Sequence, residues 1–143
     1  MRRIVLTNSN EEHPRPGSWV KGVGAITLVV EDLDVAKEFY GRVFDLPIVF
    51  EEEDSAVYTF GEMMVNLLRA PAARELVDPA VVALPEAGVR FQFTLLVDDV
   101  DAACVDLASR GVDLLNGPID RPWGIRTASF RDPGGHIWEI TKW

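Results

Sequence analysis

The chain has 143 residues, room for one compact domain and too few for two ordinary ones. Apolar residues make up 48% and charged residues 26%, the balance of a globular protein that builds its core without disulfide or metal staples. Lys and Arg number 14 against 23 Asp and Glu, a net charge of −9, which excludes a nucleic-acid backbone or an anionic membrane surface as the expected partner because both repel it.

Residues 1–19, with Pro14 and Pro16, read as an extended arm. Its three consecutive apolar residues, Ile4 to Leu6, fall short of the roughly 7–15 of a secretory core, and no run approaches the ~20 of a membrane span. A single cysteine, Cys104, excludes an internal disulfide and a thiolate metal cluster. A cytoplasmic location is the expectation.

From Ala25 to Val30 the sequence alternates, with Ile26, Leu28 and Val30 on one face and Ala25, Thr27 and Val29 on the other. That pattern predicts a strand with two unlike faces. A helix should follow, because Asp32 or Asp34 can accept hydrogen bonds from first-turn amides. Leu33, Ala36, Tyr40 and Val43 form its apolar stripe, widened by Phe39 and Phe44. Three strand candidates come next: Pro47–Glu52, Ala56–Phe60 and Met63–Leu68. Glu53-Asp54-Ser55 turns between the first two, and the Glu51 to Asp54 run reads as a solvated hairpin tip. Arg69 to Arg90 is a connector in which Pro71, Pro79 and Pro85 limit regular structure.

Beyond it, Phe91, Phe93, Leu95 and Val97 face one way and Gln92, Thr94 and Leu96 the other. Asp99 or Asp101 caps a second helix, whose stripe is Val100, Ala103, Cys104 and Leu107 and whose end is Gly111. Cys104 on that stripe reads as small core filler rather than a nucleophile. Strands are expected near Asp113–Leu115, Arg126–Phe130 and His136–Thr141, the last two joined by Asp132-Pro133-Gly134-Gly135.

The chain repeats itself. Residues 26–36 and 93–103, at an offset of 67, share six of eleven positions: Thr, Leu, Val, Asp, Asp and Ala. Two matched aspartates are more than generic strand hydrophobicity supplies, so two copies of one supersecondary unit are indicated. The fold class is α+β: two βαβββ modules whose mixed sheets curl around a crevice. Residues 20–143 form one domain, with module one at 20–68, the connector at 69–90 and module two at 91–143.

With those residues in place the chain resembles the vicinal-oxygen-chelate superfamily, which groups glyoxalase, bleomycin-resistance proteins, fosfomycin-modifying transferases and extradiol dioxygenases. The resemblance rests on Ile26-Thr-Leu-Val-Val-Glu-Asp-Leu-Asp-Val-Ala36 with its continuation to Tyr40, on Val97 to Ala102, and on Phe130-Arg-Asp-Pro-Gly-Gly-His-Ile-Trp-Glu-Ile140. It covers nearly everything outside the arm, and it implies the glyoxalase/bleomycin-resistance fold with a crevice usually completed by a second subunit. It is specific for fold and weak for function, because one scaffold hosts several chemistries.

In metal-dependent members the crevice floor carries one ligand position in each of four strands. By motif, the resemblance places these at Ala25, Asn66, Gln92 and Glu139, where histidine is expected at the first and third. A catalytic divalent ion typically needs about three ligands from His, Asp, Glu or Cys. Alanine has no lone pair, the two carboxamides offer only neutral oxygens, and Glu139 is a single carboxylate. His136 lies three positions from Glu139 and so points to the opposite face of its strand, while His13 lies in the arm. No resident metal or other cofactor is therefore expected.

The candidate ligand-binding set is Ala25, Thr27, Asn66, Gln92, Thr94, Trp123 and Glu139. Trp123 is either a crevice wall, where an indole stacks on planar or cationic guests, or a loop anchor on the core. Trp138 and Ile140, alternating with Glu139, should face the helices. Glu139 has three readings: a ligand anchor, a carboxylate satisfied by its neighbours, or a general base and thus the one catalytic candidate. Other chemistry is missing from the sequence. Lys21-Gly-Val-Gly-Ala25 precedes a strand rather than linking strand to helix, and there is no Gly-x-Ser-x-Gly elbow or Gly-Lys-Ser/Thr loop.

The expected function is metal-independent binding of an organic molecule, with a cationic aromatic one as the candidate guest, as in the bleomycin-resistance branch, and with a homodimer supplying the crevice. The alternative is a glyoxalase-like or dioxygenase-like enzyme using an irregular metal site or Glu139 as a base. A regulatory module with a vestigial crevice is the third reading.

Overall fold

The alternation at Ala25–Val30 forms strand β1 in the computed structural model, which describes residues 19–143. The arm at 1–18, with His13, Pro14 and Pro16, lies outside the described residues. Helix α1 follows at Leu33–Phe44, capped by Asp32, whose side chain accepts from the Val35 amide at 3.1 Å. Its buried face is Leu33, Ala36, Phe39, Tyr40 and Val43. Strands β2 (Phe50–Glu52), β3 (Ser55–Phe60) and β4 (Met63–Arg69) complete the first unit.

The second unit repeats the order. Strand β5 is Gln92–Leu96, and helix α3 is Val100–Ser109, capped by Asp99 onto the Ala102 amide at 3.0 Å. Strands β6 (Leu114–Asp120), β7 (Arg126–Arg131) and β8 (Ile137–Thr141) follow. Each unit is a four-stranded sheet, ordered β1-β4-β3-β2 and β5-β8-β7-β6. In each, the first strand lies parallel to the last, and the remaining neighbours are antiparallel.

Three local expectations need correction. The connector is not devoid of regular structure: it holds helix α2 at Ala70–Val77 and a 3-10 turn at Pro85–Ala87. Pro71 falls in the first turn of α2, where its missing amide has no intrahelical acceptor to lose. The first hairpin strand is shorter than Pro47–Glu52, since Pro47 has no N–H to give and Ile48 packs toward the core instead. Strand β6 runs well past Leu115, because the chain bulges at Gly117 rather than stopping. There φ is +88°, and a Cβ would lie 2.5 Å from the Thr127 carbonyl oxygen, so only glycine fits.

One core serves both units. Leu28, Tyr40, Tyr58, Val65 and Leu67 from the first pack with Cys104, Leu107, Phe130, Trp138 and Ile140 from the second. The helix ends meet reciprocally: Arg42 Nη1 donates to the Arg110 carbonyl, and Arg110 Nη1 donates to the Arg42 carbonyl. Cys104 is buried, as its stripe position predicts.

The core also carries a liability. Tyr58 is 1% exposed, and its hydroxyl has no hydrogen-bond partner among the described residues. A buried hydroxyl that leaves water unpaired is a cost, so Tyr58→Phe is expected to be neutral or to stabilise by up to about 1 kcal/mol. Urea unfolding checks this, and a loss above about 1 kcal/mol would show that the hydroxyl has a partner.

Candidate functional site

Two polar pairs occupy equivalent places on the two sheets. Thr27 on β1 lies opposite Asn66 on β4, whose Nδ2 donates to Thr27 Oγ1 at 3.5 Å. On the second sheet Thr94 lies opposite Glu139, and Thr94 Oγ1 donates to Glu139 Oε1 at 3.2 Å. Strand alternation explains the facing: Leu28 and Val30 go into the core, as do Trp138 and Ile140, so the residues between them point the other way. Glu139 is nevertheless only 7% exposed.

The row continues across the second sheet. Ser129 on β7 is the register partner of Glu139, and Asn116 on β6 is the partner of Ser129. Thr127, two residues from Ser129 and therefore on the same face, accepts from Arg121 Nε at 2.9 Å. Arg121 Nη2 donates to Asn116 Oδ1 at 3.2 Å, tying the β6–β7 loop to the row. Ser129 and Thr127 were readable in the alternation of Arg126-Thr-Ala-Ser-Phe130. Arg121 and Asn116 carried no such signal, because the bulge at Gly117 breaks the period.

Ala25 and Gln92 lie two residues back along their strands, opposite Met64 and Ile137, and both are exposed. Trp123 is half-buried in the loop closed by the Arg121 amide on the Ile125 carbonyl at 2.7 Å. The predicted residues thus fall into two groups on two sheets: Thr27 with Asn66, and Thr94 with Glu139.

These donors do not fit a catalytic divalent ion. The four positions supply a methyl group, two carboxamides and one carboxylate that already accepts from Thr94, where about three anionic or imidazole ligands are needed. Among the described residues no group of three or more His, Cys, Asp or Glu is arranged to hold a metal.

A second polar cluster joins the units where the sequence reading saw only a turn. Tyr40 Oη donates to Asp132 Oδ2 at 2.6 Å, across 92 residues of chain. Asp132 Oδ1 accepts from the Gly134 and His136 amides at 3.0 and 2.9 Å, and His136 Nδ1 lies 2.9 Å from it. Burial alone would raise the Asp132 carboxyl, but the His136 ring bond, the His136 charge and the Tyr40 hydroxyl outweigh it. The group is held below the ordinary carboxylate range. Burial and the adjacent Asp132 charge push the Tyr40 hydroxyl above the usual tyrosine range.

His136 borders a groove of about 460 Å³ between β1 and the connector, whose apolar lining includes Val29, Val81, Leu84 and Phe91. Of the predicted site residues only Thr27 reaches this groove. No helix among the described residues is long and apolar enough to cross a membrane.

Comparison with known proteins agrees with this architecture. The uncharacterized protein YraH of Bacillus subtilis (strain 168) is 36% identical over 121 residues, spanning 82% of this chain and 94% of that protein. The metallothiol transferase FosB of Shouchella clausii (strain KSM-K16) is 29% identical over 126 residues, 85% and 80% of the two chains. A crystal structure of a glyoxalase/bleomycin resistance protein/dioxygenase from Nocardioides superposes with a TM-score of 0.78 at 24% identity, covering 90% of this chain and 87% of that one. The family model of the Glyoxalase/Bleomycin resistance protein/Dioxygenase superfamily matches residues 22–140, and with two βαβββ units in that order the chain belongs to this superfamily.

Proposed function

We propose that the chain is a metal-independent binding protein that holds a small organic molecule against the polar faces of its two sheets. The observation that carries this reading is the donor set: no imidazole, and one carboxylate hydrogen-bonded to Thr94 at 3.2 Å. Such a face can orient a guest by hydrogen bonds but lacks the ligands to hold a Lewis acid. A second copy of the chain, setting a Glu139 face opposite a Thr27 face, would close the crevice. The net charge of −9 and the half-buried Trp123 favour a planar, cationic guest, through long-range attraction and stacking on the indole. Arg121 on the same face can donate to an acceptor of that guest.

Calorimetry and tryptophan quenching with a planar cationic dye and with bleomycin test the reading. Saturable binding is expected, weakened about tenfold by Glu139→Gln. A chain that binds neither probe would remove this ligand class. The second reading, an enzyme, is favoured by the buried carboxylate itself and by the likeness to a metallothiol transferase. Elemental analysis of protein purified without chelator separates the two. One nickel, zinc, manganese or iron per chain, lost on Glu139→Ala, would replace the binding reading by the enzymatic one.

A further inference from the structure

We propose that the groove between β1 and the connector is a second binding site, meeting the sheet face only at Thr27 and Val29, and that it takes a neutral hydroxylated aromatic molecule whose O–H donates to His136 Nε2. The inference does not rest on the crevice reading above.

The tautomer comes first. Both Asp132 oxygens lie within hydrogen-bond distance of His136 Nδ1, at 2.9 and 3.0 Å. An ionised carboxylate only accepts, so Nδ1 carries the proton in either state of the ring, and when the ring is uncharged its lone pair lies at Nε2. The ring cannot turn away easily. Asp132 is pinned by Tyr40 Oη and by two turn amides, and its side chain is 1% exposed. The ring also lies close against the turn, since a Cβ at Gly134 would come within 2.7 Å of His136 Cε1. This is the arrangement by which a carboxylate orients an imidazole for use at its far nitrogen. No partner for Nε2 is found among the described residues.

The walls select the rest of the guest. Val29, Val81 and Leu84 are apolar, and Phe91 is 55% exposed, with its ring centroid 6.5 Å from that of His136. A flat apolar body can therefore lie against Phe91 while its hydroxyl meets the imidazole. The volume of about 460 Å³ falls in the range of small-molecule sites, about 300–1,000 Å³. Glu31 and Arg90 both stand on the lining, so the groove itself favours neither sign, while the net charge of −9 disfavours an anion at a distance, and the donor is a neutral O–H. Among the described residues strand β1 pairs only with β4, so its other edge borders the groove.

The test uses 2-naphthol, 2-methoxynaphthalene and naphthalene on the whole chain, with nitrogen NMR of the imidazole as the site-specific readout. Free protein should show the Nδ1–H tautomer at His136. 2-Naphthol should bind and shift the His136 Nε2 resonance, and the methoxy analogue, which cannot donate, should bind about tenfold more weakly. His136→Phe should erase that difference, and His136→Gln, whose amide oxygen can accept, should restore part of it. The comparison of the three probes on unaltered protein stands even if a variant fails to fold. Equal affinity for the naphthol and its methyl ether, binding that leaves the His136 signals unmoved, or no binding at all would each overturn the proposal.

Discussion

Asp132→Ala is expected to destabilise the protein by about 3–5 kcal/mol, roughly 10–20 °C in Tm. The carboxylate serves four donors: the Tyr40 hydroxyl, the amides of Gly134 and His136, and the His136 ring. Truncation leaves the hydroxyl of Tyr40, itself fully buried, with its partner gone, and frees the turn that starts β8. A buried donor stripped of its acceptor costs its whole desolvation, about 1–3 kcal/mol each. Asp132→Asn should cost less, because its oxygen can still accept from the two amides. A shift below about 3 °C for the alanine variant would show that the turn holds itself together without the carboxylate.

The same group sets a pH dependence. Its folded value lies below the ordinary one, first against the effect of burial and then through the His136 and Tyr40 bonds. A depressed acid contributes stability that is complete above its unfolded value, about 3.9, and is lost as pH falls through the lower folded value. Acid should therefore lower the midpoint of the parent chain below about pH 4, and Asp132→Asn should show a shallower loss over that window. Thermal unfolding at a series of pH values measures both slopes.

How far the sequence alone leads depends on the range over which each feature is specified. Strands β1 and β5 and both helix caps are written within a few residues: Ile26-Thr-Leu-Val-Val30 alternates, and Asp32 and Asp99 sit where first-turn amides need acceptors. The repeat then predicts the second unit from the first. The connector prolines misled in one place, and the short reading of β6 missed a bulge. Pro71 opens α2 because a first-turn proline gives up no hydrogen bond, and β6 passes Pro118 by bulging at Gly117.

The candidate site shows the same division. Thr27, Asn66, Thr94 and Glu139 could be placed on common faces by period alone, and the register pairs them. Arg121 reaches the same row only through a hairpin loop, which no period describes. His136 was read as facing away from Glu139, and its own environment was invisible to that reading. The groups that orient it are Asp132, four residues away around a turn, and Tyr40, whose ring meets Trp138 of the second unit in the shared core.

Trp138→Ala is expected to cost about 3–5 kcal/mol, because it empties the place where the two units interlock. The indole is 1% exposed and lies 4.6 Å from the Phe93 ring, 4.9 Å from Phe44 and 5.1 Å from Phe60, stacked on the last at 26°. Phe44 and Phe60 belong to the first unit and Phe93 to the second, so one side chain bridges both sheets. Its loss removes the transfer energy of the ring and several aromatic pairs of about 0.5–1.5 kcal/mol each, which do not add fully. Trp138→Phe keeps part of the stack and should cost less. Trp123→Ala, on a half-buried loop, should stay within about 1 kcal/mol of the parent. Guanidinium unfolding followed by near-ultraviolet dichroism separates the cases. If the core is shared, Trp138→Ala lowers one cooperative midpoint without splitting it. Two resolved transitions, or a cost below about 1 kcal/mol, would mean that each βαβββ unit holds itself together and that the aromatic cluster between them is only a contact.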